Sequence, residues 1–178
     1  MARSKDPGKQ LAGFLAKYTS EVAEQAEAAR NEMRKLYPGA LELVYDNYNA
    51  LAIGFSPTER ASDAIFSIAV YPRWVSLFFL QAKGLPDPNR LLRGSGKVAR
   101  HIVLSSPAML HEPAVRELMA EAVSRAKTPL DPRMQHKLII KSISNAQRSR
   151  RPAENTSSGR LATRAGKRAV SPAQASNR

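Results

Sequence analysis

Residues 45–81, YDNYNALAIGFSPTERASDAIFSIAVYPRWVSLFFLQ, and 91–101, LLRGSGKVARH, decide the fold. Together they hold three of the five Tyr, the only Trp and four of the five Phe. Segments 64–71 and 75–80 are apolar at both alternating positions, the pattern of a strand covered on two sides. Asp46, Asn47, Tyr48 and Asn49 tolerate left-handed backbone and separate a run over 41–46 from one over 51–55. Alternation in the first run sets Leu41, Leu43 and Tyr45 on one face and Glu42, Val44 and Asp46 on the other. Pro72 and Arg73 make a second turn, and a fifth strand over 99–104 follows Gly94, Ser95, Gly96 and Lys97. The segment 137–141, KLIIK, reads either as a sixth strand at the sheet edge or as an extended strap.

Working outward, Asp6 and Pro7 cap and open a first helix, in which Leu11, Phe14, Leu15 and Tyr18 fall on one stripe. A second helix over 21–36 turns Val22, Ala26, Ala29 and Met33 inward and ends at Pro38 and Gly39. Glu21 and Glu24 lie in its first turn and Arg34 and Lys35 in the last, which suits the helix dipole. Pro113 opens a later helix with Val115, Leu118, Met119 and Ala122 on its apolar face. The order predicts an α+β domain over 5–146: an antiparallel five- or six-stranded sheet packed against two N-terminal helices and one later helix.

At 178 residues the chain suits one such domain. Cysteine is absent, which excludes disulfides and thiolate chemistry, and no apolar run reaches membrane-span or signal-peptide length. A soluble cytoplasmic protein without a membrane partner is the expectation. The net charge of +13 is unevenly spread. Residues 147–178 contain eight Lys/Arg against one acid, +7, whereas 1–146 contain 20 against 14, +6. The Ser-, Ala- and Arg-rich tail has little to bury and reads as disordered. Its Arg148, Arg150, Arg151, Arg160, Arg164, Lys167 and Arg168 are candidates for salt-sensitive, sequence-blind contact with nucleic acid.

The landmarks YDNYNALAIGF, YPRWVSLFFL and GSGK followed by RH resemble the YdhG-like domain family, a domain of unknown function, over about residues 10–146. The resemblance implies a helix-backed antiparallel sheet but no agreed reaction, cofactor or catalytic residue. Some members have been likened to frataxin-type iron chaperones, which would need an acidic face. Here Glu21, Glu24, Glu27 and Glu32 share their helix with Arg30, Arg34 and Lys35, against that role.

No motif specifies an enzyme. The segment 94–97, GSGK, lacks the earlier Gly and following Ser/Thr of a phosphate loop and leads into a strand. What remains is a Gly-rich anion nest aided by Arg93, Lys97 and Arg100. His101, His111 and His136 have no metal-ligand spacing, and no serine sits in a nucleophile elbow. Tyr45, Tyr48, Tyr71 and Trp74 bracket the two turns near Arg73, an arrangement suited to a small polar-rimmed pocket. The expectation is a non-enzymatic binding module for a small anionic ligand or an acidic partner, built on Tyr48, Arg73, Trp74, Arg93, Lys97 and Arg100. No cofactor, metal or catalytic residue is expected.

Overall fold

Asp6 caps the first helix as its position predicts: its carboxylate accepts from Gly8 N at 2.9 Å, with Pro7 in the first turn. The computed structural model describes residues 6–153. Helix α1, Pro7–Leu15, buries Leu11, Phe14 and Leu15. The Thr19 hydroxyl accepts from Val22 N and starts α2, Ser20–Leu36, whose Val22, Ala26, Ala29 and Met33 are buried. The third helix, α3, Pro113–Ser124, buries Val115, Leu118, Met119 and Ala122. The α2 and α3 stripes are those their 3.6-residue period predicts, whereas α1 ends before Tyr18, which is buried in the bend that follows.

Six strands follow in one sheet: β1 Leu41–Asp46, β2 Leu51–Ser56, β3 Phe66–Val70, β4 Val75–Phe79, β5 Arg100–Leu104 and β6 Leu138–Ile143. Their spatial order is β5-β4-β3-β2-β1-β6. The first four pairings, from β5 to β1, are antiparallel. The last departs from the expected all-antiparallel sheet, because β6 lies parallel to β1. Residues 137–143 thus join the sheet, and they enter it from the same end as β1. Gly39 admits the segment leading there: a Cβ at Gly39 would lie 2.0 Å from the Asp131 carbonyl oxygen. The sheet is mixed at one edge and antiparallel elsewhere.

One pleat face meets the helices. Leu51, Ile53 and Phe55 of β2, Phe66, Ile68 and Val70 of β3, and Val75, Leu77 and Phe79 of β4 share one core with the helical stripes. Tyr18 fastens α1 to it, donating to Val70 O at 2.9 Å and accepting from Leu51 N at 3.0 Å. Burial pushes its hydroxyl above the usual tyrosine range. The opposite pleat carries Tyr45, Ala52, Ser67, Ala69, Phe78 and His101, following the strand registers.

The packed chain continues past 146, where the tail was expected to begin. Gln147 donates from its side chain to Asp46 O at 3.2 Å, and Arg148 N donates to Tyr48 O at 2.9 Å. Arg150 is only 4% exposed. A buried acid on β1 recruits this cation, so 147–153 forms a strap on the domain. Arg160, Arg164, Lys167 and Arg168 lie outside the described residues.

Candidate functional site

The β3–β4 turn brings two rings together. Tyr71 N donates to Trp74 O at 2.9 Å, closing the turn around Pro72 and Arg73. The Tyr71 and Trp74 rings stack with centroids 5.0 Å apart and planes 24° from parallel. Trp74 nevertheless stays 42% exposed. Across from it, Asn47 N donates to Ala50 O at 3.0 Å and presents Tyr48 at the tip of the β1–β2 turn. The strap crosses this tip and places the Arg148 guanidinium 5.9 Å from the Tyr48 ring centroid. Asn49, Tyr71, Pro72, Arg73, Trp74, Arg148 and Ser149 line an open cleft of about 740 Å³.

A second depression of about 540 Å³ adjoins it, sharing Asn49 and Tyr71. Its floor is made of small side chains, Ala50, Ala52, Ser67 and Ala69, and Tyr48, Tyr71, Phe78 and Leu80 rise around them. Small residues facing one another across β2 and β3 leave a trough, and the rings beside them form its walls. Pairing sets Tyr45, Ala52, Ala69 and Ser76 in one row across the sheet. The hydroxyls of Tyr45 and Ser76, at the ends of that row, are buried and without a hydrogen-bond partner among the described residues. Burial also raises the hydroxyl pKa of Tyr45 and of Tyr71.

Phe78 closes the trough toward β5, stacking on His101 with centroids 4.9 Å apart. Burial, reinforced by the Arg93 charge, holds the His101 imidazole below its usual range. The unfolded chain therefore binds this proton more readily than the folded one. Stability from this group is present above the ordinary histidine pKa of about 6.5 and declines as pH falls below it. His101→Phe is expected to flatten the melting-temperature profile between about pH 7 and 5, measured beside the parent. An unchanged slope would remove His101 from the acid response.

The expected ligand residues divide into two groups. Tyr48, Arg73 and Trp74 come together at one end of the sheet, joined by Arg148 from the strap. Arg93, Lys97 and Arg100 do not join them. Arg100 pairs with Phe79, five residues along β4 from Trp74, or roughly 16 Å away. Its guanidinium is also engaged, donating to Gly96 O at 2.7 Å and Gly94 O at 2.5 Å. Arg93 is tied to His101 through two backbone hydrogen bonds, and Lys97 is exposed on the same loop. The loop directs carbonyls at its own arginine, so the single six-residue site is corrected to a three-residue cluster plus Arg148. Arg150 is likewise corrected as a nucleic-acid contact, because its guanidinium is buried against Asp46. Arg151 is exposed, donating to Ala16 O at 3.5 Å.

The sequence reading passed over two buried carboxylates on the helix-facing side of β1. Asp46 accepts from Lys17 Nζ at 2.7 Å and Arg150 Nη2 at 2.9 Å. Arg150 also donates to Asn47 O and lies 5.7 Å from the Tyr18 ring centroid. Glu42 meets Arg30 Nε at 2.5 Å, Arg34 Nε at 3.4 Å and His136 Nε2 at 2.5 Å. The pair of Glu42 holds the Arg30 guanidinium above its ordinary pKa, against the desolvation that is the largest influence on it. Two acids on one strand face were the available signal.

On α2, Glu27 pairs with Arg30, and Glu32 with Lys35 and His111. Among the described residues, no group of three or more His, Cys, Asp or Glu is placed to hold a metal ion. Nor is any described helix long and apolar enough to cross a membrane. Comparison with protein-family models finds no match, and comparisons with curated proteins and with solved structures find none either.

Proposed function

We propose that this chain is a YdhG-like binding module that takes a small anionic ligand in the cleft between the β3–β4 turn and the strap. The observation that carries this reading is the convergence of two exposed cations, Arg73 and Arg148, on the stacked Tyr71–Trp74 pair. Guanidinium groups pair with carboxylate or phosphate oxygens, and the rings supply a flat apolar wall beside them. Binding rather than catalysis suits the lining, which holds no acid or histidine to move a proton.

Trp74 is the sole tryptophan, so its fluorescence reports on this cleft alone. Benzoate is expected to quench it, and benzyl alcohol, equal in shape but neutral, far less. Arg73→Ala and Arg148→Ala should each weaken benzoate binding roughly 3- to 10-fold, in line with loss of one charge-assisted hydrogen bond at an exposed site. Both side chains are exposed, so the melting temperature should stay within about 2 °C. Equal quenching by the acid and the alcohol, or unchanged affinity in both variants, would overturn the reading.

A further inference from the structure

We propose that the ligand is a single-chain acyl carboxylate, its headgroup between Arg73 and Arg148 and its chain in the alanine-floored trough. This inference rests on the cleft being the anion site. Cleft and trough share Asn49 and Tyr71, so a charged mouth adjoins a mostly apolar trough that also carries Asn47 and Ser67. The ligand that matches both carries its charge at one end and an apolar body at the other.

Shape narrows the body further. Ala52 and Ala69 face each other across β2 and β3, with Tyr71 at one end of their run along β3 and Phe78 beside Ser67 at the other. Small side chains along the floor and rings at its two ends leave a shallow trough along the strands, long enough for one extended chain. A broad, flat apolar face with many surrounding cations would instead suit a membrane surface. Here two cations sit at one end, and the apolar atoms are recessed. The occupant is therefore a free acyl anion.

The strands also set its length. From Tyr71 to Ser67 the trough runs four residues along β3, about 13 Å at strand rise. An extended chain advances about 1.2 Å per bond, as peptide backbone does over its three bonds per residue. The trough thus takes about ten carbons. Ser67, opposite Phe78, marks the far end, with Leu80 beyond it.

The test is a chain-length series on the full chain, following Trp74 fluorescence with monomeric butanoate, hexanoate, octanoate, decanoate and dodecanoate. Affinity is expected to rise about fourfold per added methylene as apolar area leaves water, then level off near ten carbons. Decanol should bind far more weakly than decanoate. Ala52→Leu, which places a larger side chain in the trough, should flatten the series while butanoate affinity remains. Because the series is run on the parent chain, misfolding of that variant cannot mask the result. A flat series whose binding still depends on Arg73 and Arg148 would overturn the acyl assignment and leave the anion site standing. Decanoate and decanol binding equally would overturn both. Binding to anionic lipid vesicles without binding to monomeric decanoate would overturn the free-acyl assignment in favour of a membrane surface.

Discussion

Asp46→Ala is expected to lower the unfolding free energy by about 3–5 kcal/mol, the range for removing one partner of a buried ion pair. Asp46 and Arg150 are both buried, and their ion pair ties the strap to the sheet beside the hydrogen bonds of Gln147 and Arg148. Without the carboxylate, the Arg150 guanidinium keeps the Tyr18 ring and, as hydrogen-bond partner, only the Asn47 carbonyl, because its Nε and Nη1 already lack partners among the described residues. Lys17 is less affected, since it is partly exposed and also donates to Gln147 Oε1 at 2.8 Å. The cost therefore comes from an uncompensated buried cation rather than from one lost contact. Urea denaturation of Asp46→Ala and of Asp46→Ala with Arg150→Met separates the two. The double variant should recover a large part of the lost stability, because no unpaired charge remains. It should not recover benzoate binding, since Arg148 and Ser149 reach the cleft only while the strap is held. A loss under about 1 kcal/mol in Asp46→Ala would show that the strap is anchored elsewhere.

The parts of this molecule readable from sequence are those set by local rules. Asp6 with Pro7 names a helix start, the period of Leu11, Phe14 and Leu15 names its face, and Pro72 with Arg73 names a hairpin turn. Each of these is decided within a few residues by dihedral preference or side-chain period. The direction of β6 was not readable, because it depends on which end of the sheet the chain reaches after α3. The burial of Glu42 and Asp46 was hidden for a related reason. Acids alternating with apolar residues suggest a solvated face, yet their cations come from 8 to 104 residues away. The site follows the same division. Tyr48, Arg73 and Trp74 were visible because the turns that present them are local. Arg148 joins them because a distant ion pair and its own backbone bond to Tyr48 fold the strap back, and Arg100 is withdrawn because its own loop turns carbonyls onto it.

Glu42→Ala is the second change expected to have a large effect, about 3–5 kcal/mol for an acid buried among cations. Glu42 gathers three elements at one point: Arg30 and Arg34 from α2, its own backbone on β1, and His136 from the segment entering β6. Its backbone N also accepts a place in the ladder, donating to Lys137 O at 2.9 Å. Removing the carboxylate leaves Arg30, largely buried, with Glu27 alone, and frees His136 from the sheet. Glu42→Gln keeps the volume and one oxygen, but its amide adds a donor where three donors already converge. It should therefore lose about half as much stability as the alanine variant, through donor crowding rather than a cavity. Because β6 pairs only with β1 among the described residues, its edge depends on this cluster more than the central strands do. Hydrogen exchange should accordingly show β6 amides opening in Glu42→Ala under conditions where β2 and β3 remain protected. Uniform loss of protection across the sheet would mean that Glu42 supports the whole core, and retained β6 protection would mean that the ladder holds the edge without it.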